Sequence, residues 1–229
     1  MAVLIGAHPG GRNRYAVSAL FWGGSLPALL FRSKAYSGTE DVLADIVGSA
    51  GEWGGLAAVA IDAPLTWSGG ESGWRHCDTQ MRETAPDWLP KTWIRSPNAL
   101  TGAIAIQGPA LAWSLAQEIK GELLPRHPVV ETHPRLGLAH VAPRDAVLAY
   151  RDQKLDAQRR ADALSQLVRC FVDAGVVQLE TDAPRNYAEL DALVAAVVAL
   201  GCEFPESGIE LRSYEGDRLQ PEGRRPVKN

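Results

Sequence analysis

The sequence has no surplus of basic charge: 23 Lys and Arg stand against 27 Asp and Glu, a formal net charge of −4. Tight, non-specific binding of bulk duplex nucleic acid calls for a basic footprint, so that class is disfavoured, although a local basic groove is compatible with the total. Cysteine is scarce. Cys77, Cys170 and Cys202 are odd in number, far apart and form no CxxC pair, which argues against a disulfide framework or a zinc knuckle and leaves buried free thiols. No apolar run approaches membrane-spanning length. The start, MAVLIGAHPGG, has no basic segment leading into a long apolar core and does not read as a signal peptide. No membrane partner and a cytoplasmic location are the resulting expectations. There is no internal repeat, and no Gly-rich phosphate loop of the Walker type, which ranks a small-molecule phosphotransferase low.

What is present is a globular composition. The 229 residues are 46% hydrophobic and 22% charged, which suits one domain or one domain with a sizeable insertion. Val3 to Gly6, Tyr15 to Trp22 and Pro27 to Phe31 are short apolar segments separated by Pro and Gly, the pattern of a three-strand antiparallel meander. Thr39-Glu40-Asp41 opens a helix, with a capping hydroxyl and acids at the positive end of the dipole, expected to end near Val47. Leu56 to Ile61 is a continuous apolar run, as in a strand buried on both faces, and Pro64 stops it.

The segment 67–106 differs in kind. It holds Trp67, Trp74, Trp88 and Trp93 among many Gly and Pro, with one helix expected near Trp74 to Glu83; it reads as an insertion or lid. Gln107-Gly108-Pro109 is expected to open a helix, with Pro109 in the first turn. Val129 to Thr132 is a further strand. Leu164, Leu167, Val168, Phe171 and Val172 have helical spacing, with Gly175 as cap. A last helix starts at Asn186, with Glu189 completing a capping-box variant. Residues 1–211 thus form one domain, and 212–229 a loose, charged tail. The expected fold is α/β, a mixed five-stranded sheet flanked by helices.

Three carboxylates stand out. Asp62 ends the strand LAAVAIDAP, at the edge where open α/β sheets bind ligands, though an Asp there can equally cap the next turn. Glu131 ends the strand Val129-Val130-Glu131, just before Thr132-His133-Pro134. Asp191 lies at the margin of the apolar stripe of the last helix, where an unpaired charge needs a partner or a metal. Converging carboxylates suit hard divalent ions such as Mg²⁺. His8 follows the first strand and is open to a structural or a ligand role. His133 and His140 are not at zinc-site spacing. Arg75, Asp78 and Arg82 fall at i, i+3 and i+7, either a phosphate-facing patch or a surface ion-pair row. The tryptophans beside them could stack on bases or form the core of the insertion.

Taken in order, Ile61-Asp62-Ala63-Pro64-Leu65, Arg75-His76-Cys77-Asp78 with Arg82, Gln107-Gly108-Pro109-Ala110-Leu111-Ala112, Val130-Glu131-Thr132-His133-Pro134, Tyr150 with Lys154, Arg160 and Leu164, and Leu190-Asp191-Ala192-Leu193 resemble a large domain-of-unknown-function family of predicted ribonuclease H-like nucleases. The resemblance implies a ribonuclease H-like fold and a metal-binding cluster of Asp62, Glu131 and Asp191 holding Mg²⁺ or Mn²⁺. It implies catalysis by these acids and His8, substrate contacts from Arg75, Asp78, Arg82, His133 and Lys154, and nucleic acid as the candidate partner. The first strand departs from the pattern: where the family has Gly-Ile-Asp, this chain has Gly6-Ala7-His8. A neutral, softer imidazole weakens a Mg²⁺ site. The site therefore tolerates His8, prefers manganese, or has lost hydrolysis. The two leading expectations are a metal-dependent phosphodiester hydrolase and a domain that keeps the fold for binding or protein interaction without the chemistry.

Overall fold

A computed structural model describes residues 2–10, 15–24, 28–52, 55–120, 129–179, 183–204 and 218–219. Its centre is the antiparallel meander β1 (Ala2–His8), β2 (Tyr15–Trp22) and β3 (Ala28–Tyr36). Beside β1 lie β4 (Leu56–Ile61), parallel to it, and β5 (Val129–Glu131), parallel to β4. This is the mixed five-stranded sheet expected from the sequence, an antiparallel meander extended by two parallel strands. Two short strands extend it: β6 (Val177–Leu179) beside β3, and β7 (Arg218–Leu219) beside β5, in the order β6-β3-β2-β1-β4-β5-β7. Arg218 and Leu219 fall in the segment expected to be a loose tail; these two pair with β5, and the rest of 212–229 lies outside the described residues.

Both faces of the sheet are covered, which is why β1, β2 and β4 are apolar but for His8 and Ser18. On one face Val3, Ile5 and Ala7 pack with α1 (Thr39–Glu52) and α3 (Ala103–Lys120). On the other, Leu4, Ala58 and Ala60 pack with α4 (Pro134–Val141), α5 (Arg144–Ala149), α6 (Ala157–Asp173) and α7 (Tyr187–Glu203). The remaining helix, α2 (His76–Thr84), and two short 3-10 turns at Lys91–Trp93 and Pro97–Ala99 lie in the Trp-rich segment. Trp88 and Trp93 pack against the α7-side core, while Trp67 is exposed. No disulfide joins the cysteines, and no helix among the described residues is long and apolar enough to cross a membrane.

Several expectations need correction. Helix α1 runs through Gly48 to Glu52 because Ile46, Ser49 and Ala50 are buried on its inner face. Helix α3 begins at Ala103, so Pro109 is inside it. Gly108 offers the compensation: a Cβ there would sit 2.4 Å from the Ala63 Cβ, so the glycine lets α3 touch the turn after β4. Helices α4 and α5 were not foreseen. They are short, and α4 owes its start to Pro134 and to His133, whose Nδ1 accepts the Leu136 N–H at 3.2 Å.

The last helix starts as expected. The Asn186 side chain accepts from the Ala188 and Glu189 N–H groups and donates to Glu189. Yet α7 is not amphipathic in place. It lies on β1, β2 and β4 with α4 and α6 behind it, and is buried almost all round. Asp191 is therefore not at a margin but 0% exposed. Small residues make the approach possible. A Cβ on Gly6 would lie 1.9 Å from the Ala192 carbonyl oxygen and 2.3 Å from the Ala196 nitrogen. Gly6→Ala must push α7 off β1, and overpacking of this kind costs about 1–3 kcal/mol or more. Urea unfolding should show that loss; a variant as stable as the parent would contradict the direct backbone contact.

Candidate metal centre

Strand direction and alternation bring the site together. β1 and β4 are parallel and in register at Ala7 and Ile61, so their C-terminal ends coincide. The Asp62 N–H donates to the Ala7 carbonyl at 2.8 Å and extends that pairing by one residue. Leu4, Gly6 and His8 share the face that α7 covers, by the period of two. Ala192 sits on Gly6, which sets Asp191 down beside His8.

The His8 Nδ1 lies 2.6 Å from Asp62 Oδ2 and 3.7 Å from Asp191 Oδ2. One ligand atom from each of the three residues falls within 4.8 Å of the others. Arg151, just beyond α5, contacts Asp191 Oδ2 through a terminal guanidinium nitrogen and lies 3.9 Å from Asp62 Oδ2. The Tyr150 hydroxyl donates to Asp191 Oδ1 at 2.9 Å. Tyr187 forms a shelf: the Arg151 guanidinium stacks 4.7 Å over its ring, and the His8 ring meets it edge-on at 6.0 Å.

The electrostatics follow. Burial pushes the Asp62 carboxyl up, but the His8 hydrogen bond and the Arg151 guanidinium help to outweigh it and hold Asp62 below the ordinary carboxylate range. Burial lowers Arg151, with repulsion from Arg135 adding to it, and burial raises the Tyr150 hydroxyl.

Glu131 has gone elsewhere. It pairs with Ile61 across β4 and β5, yet both its oxygens are held by the Arg75 fork at 2.5 and 2.7 Å, and one also accepts the Leu65 N–H at 2.8 Å. Arg75 turns its remaining donors on Asp78, at 2.6 and 3.0 Å, and on Thr66. Burial alone would lower Arg75, but the hydrogen bonds to Glu131 and Asp78 raise it. With side chains 11% and 1% exposed, Arg75 and Asp78 are not a surface row; they brace the start of α2 against the end of β5. Arg82 faces away from them, its guanidinium 4.7 Å over the Trp74 ring, in an open groove also lined by Thr79, Glu83 and Lys91.

His133 is a neutral imidazole in this setting. Its Nδ1 accepts from Leu136, so its Nε2 carries the proton and donates to the Trp93 carbonyl at 3.2 Å; burial lowers its pKa. Lys154 is exposed three residues after Arg151. Sequence reasoning missed Arg151 altogether. The available signal was Asp191 itself, since a carboxylate on a buried helix requires a cation nearby.

The donor set at His8, Asp62 and Asp191 fits a divalent ion. Asp191 Oδ2 is buried and, though Arg151 faces it, accepts no hydrogen bond of normal geometry. Two carboxylates and an imidazole suit Mn²⁺, which accepts a nitrogen ligand beside oxygens, better than Mg²⁺, which prefers oxygen alone.

Fold and site together define an α/β protein with a His–Asp–Asp cluster at the edge of its central strands. The chain belongs to the family described as protein of unknown function (DUF429), whose model matches residues 30–207. The match begins in β3, so His8 lies ahead of it. No curated protein matches the sequence. Among solved structures, T. thermophilus RuvC in complex with Holliday junction substrate is similar, at 13% identity and a TM-score of 0.42, over 90% of this chain and 96% of that one.

The brace makes a separate prediction. Arg75→Met leaves Glu131 and Asp78 without their cation and should destabilise the fold by about 3–5 kcal/mol. Glu131→Gln should leave Mn²⁺ affinity within about twofold, on the scale of the differences expected of sites that share no ligand. Calorimetric loss of metal binding in Glu131→Gln would return Glu131 to the ligand set.

Proposed function

We propose that the protein is a metal-dependent phosphodiester hydrolase that holds a divalent ion between His8, Asp62 and Asp191. The observation behind this reading is the convergence of three ligand atoms, from β1, the end of β4 and α7, within 4.8 Å at the sheet edge. When bound there, such an ion would make a water acidic at neutral pH and polarise a phosphate oxygen. The protein's own groups do the rest. Asp62 and Asp191 supply negative charge and His8 an imidazole nitrogen. Tyr150 orients Asp191, and Tyr187 orients His8 and Arg151. Arg151 matches Asp191 and offers its guanidinium to negative charge on a phosphate. Glu131 acts at a distance as a positioning residue, by holding Arg75 and the Leu65 turn. Nucleic acid is the proposed substrate class. The net charge of −4 favours contact at this site over binding along an extended surface.

A second reading rests on the same geometry. Arg151 already neutralises Asp191, and His8 already occupies Asp62. A domain arranged so could bind a partner without hydrolysing it.

Calorimetry with Mn²⁺ and Mg²⁺, followed by cleavage assays on single-stranded RNA and DNA oligonucleotides, separates the two. The hydrolase reading expects Mn²⁺ to bind more tightly than Mg²⁺. It also expects cleavage only with added metal, and a loss of more than about 100-fold in Asp62→Asn, the upper end of what a ligand's supporting partner is worth. Metal-independent cleavage, or full activity in Asp62→Asn, would sink it. No binding at millimolar metal by a folded protein would favour the second reading.

A further inference from the structure

Beside the acidic cluster stand two arginines with unspent hydrogen-bonding capacity. Arg135 lies in the first turn of α4. Its guanidinium stacks 4.5 Å over the Trp93 ring and hydrogen-bonds the Tyr150 oxygen. No carboxylate pairs with it among the described residues. The Arg135 Nε is buried and has no hydrogen-bond partner, and the same is true of the Arg151 Nε. Buried charged donors are seldom left unpaired, because each forfeits its hydration for nothing. Two such donors near one hydroxyl, on side chains that repel each other, form a site that wants an anion.

The aromatic shelves explain how the site can be rigid without being filled. Trp93 under Arg135 and Tyr187 under Arg151 fix the planes of the two guanidinium forks. Tyr150 lies between them, bonded to Arg135 and to Asp191. The forks are thus held at a set position relative to Asp62 and Asp191. The Arg151 side chain is 17% exposed and Arg135 is half-buried, so a ligand can reach both from solvent.

Asp191 engages Arg151, whereas Arg135 faces Tyr150 and no carboxylate among the described residues. We infer that Arg135 joins Arg151 in a site for a phosphate group beside the carboxylate cluster. This deepens the hydrolase reading and rests on it for the choice of phosphate over other oxyanions. Planar forks recognise phosphate oxygens in pairs, which an ammonium group cannot do.

The test uses the full chain in EDTA, so that no divalent ion takes part. Binding of the dinucleotide thymidylyl-thymidine and of thymidine monophosphate, which share base and sugar, is measured by calorimetry. Both should bind, and binding of the dinucleotide is followed in the variants. Arg135→Gln should weaken it about 10- to 100-fold, the range for a hydrogen bond to a charged group. Arg135→Lys, which keeps the charge and loses the fork, should weaken it measurably and carries the test should Arg135→Gln fail to fold by circular dichroism. No binding of either probe, or a folded Arg135→Lys that binds as well as the parent, would overturn the proposal. Mn²⁺ titration without nucleotide tests the metal reading independently, so the two failures are distinguishable.

Discussion

A carboxylate with no exposed surface must have its charge met by the protein, and Asp191 imposes that demand on everything around it. An isolated ionised carboxylate in an apolar interior is prohibitively costly. Here Tyr150 donates to one oxygen, while Arg151 and His8 face the other. Each of those partners in turn needs a support: Tyr187 carries both Arg151 and His8, and Asp62 holds His8 in place. The network that results is a site, because its members come from β1, β4, α7 and the stretch after α5, and meet at the carboxyl ends of parallel strands.

The demand can be met only because α7 sits so close to the sheet. Gly6 under Ala192 brings helix backbone onto strand backbone, and Gly108 under Ala63 does the same for α3 on the opposite side of the Asp62 turn. Packing and chemistry are therefore coupled. The glycines that thin the core also fix the distances between the ligand atoms. The Arg75 brace adds rigidity from a third direction, tying the Trp-rich segment to β5 through Glu131 and Asp78.

Much of the fold was legible because it obeys periodicity. The meander, β4 and the caps at Asn186 and Gly175 all follow from local pattern. Helix ends were less so: α1 overran its glycines and α3 absorbed Pro109, since burial of an inner face outweighs local propensity. For the site, strand ends pointed to Asp62 and Glu131 alike, but nothing local separates a carboxylate that faces a ligand from one that faces an arginine. Arg75 decides that for Glu131, over 56 residues of separation. Arg151 was invisible for the same reason, as its role exists only once α7 is buried on all sides. His8, open to a structural or a ligand role from the sequence, is in direct contact with Asp62.

His8 against Asp62 and Arg151 against Asp191 are two answers to one problem, the accumulation of negative charge at a buried edge. A divalent ion would be a third, and it would compete with Arg151 for Asp191. Crystals soaked in Mn²⁺ and measured for anomalous scattering test this directly. A peak coordinated by His8, Asp62 and Asp191 is expected, with the Arg151 guanidinium moved off Asp191. Arg151 still seated on Asp191, with no peak among the three ligand atoms, would contradict it.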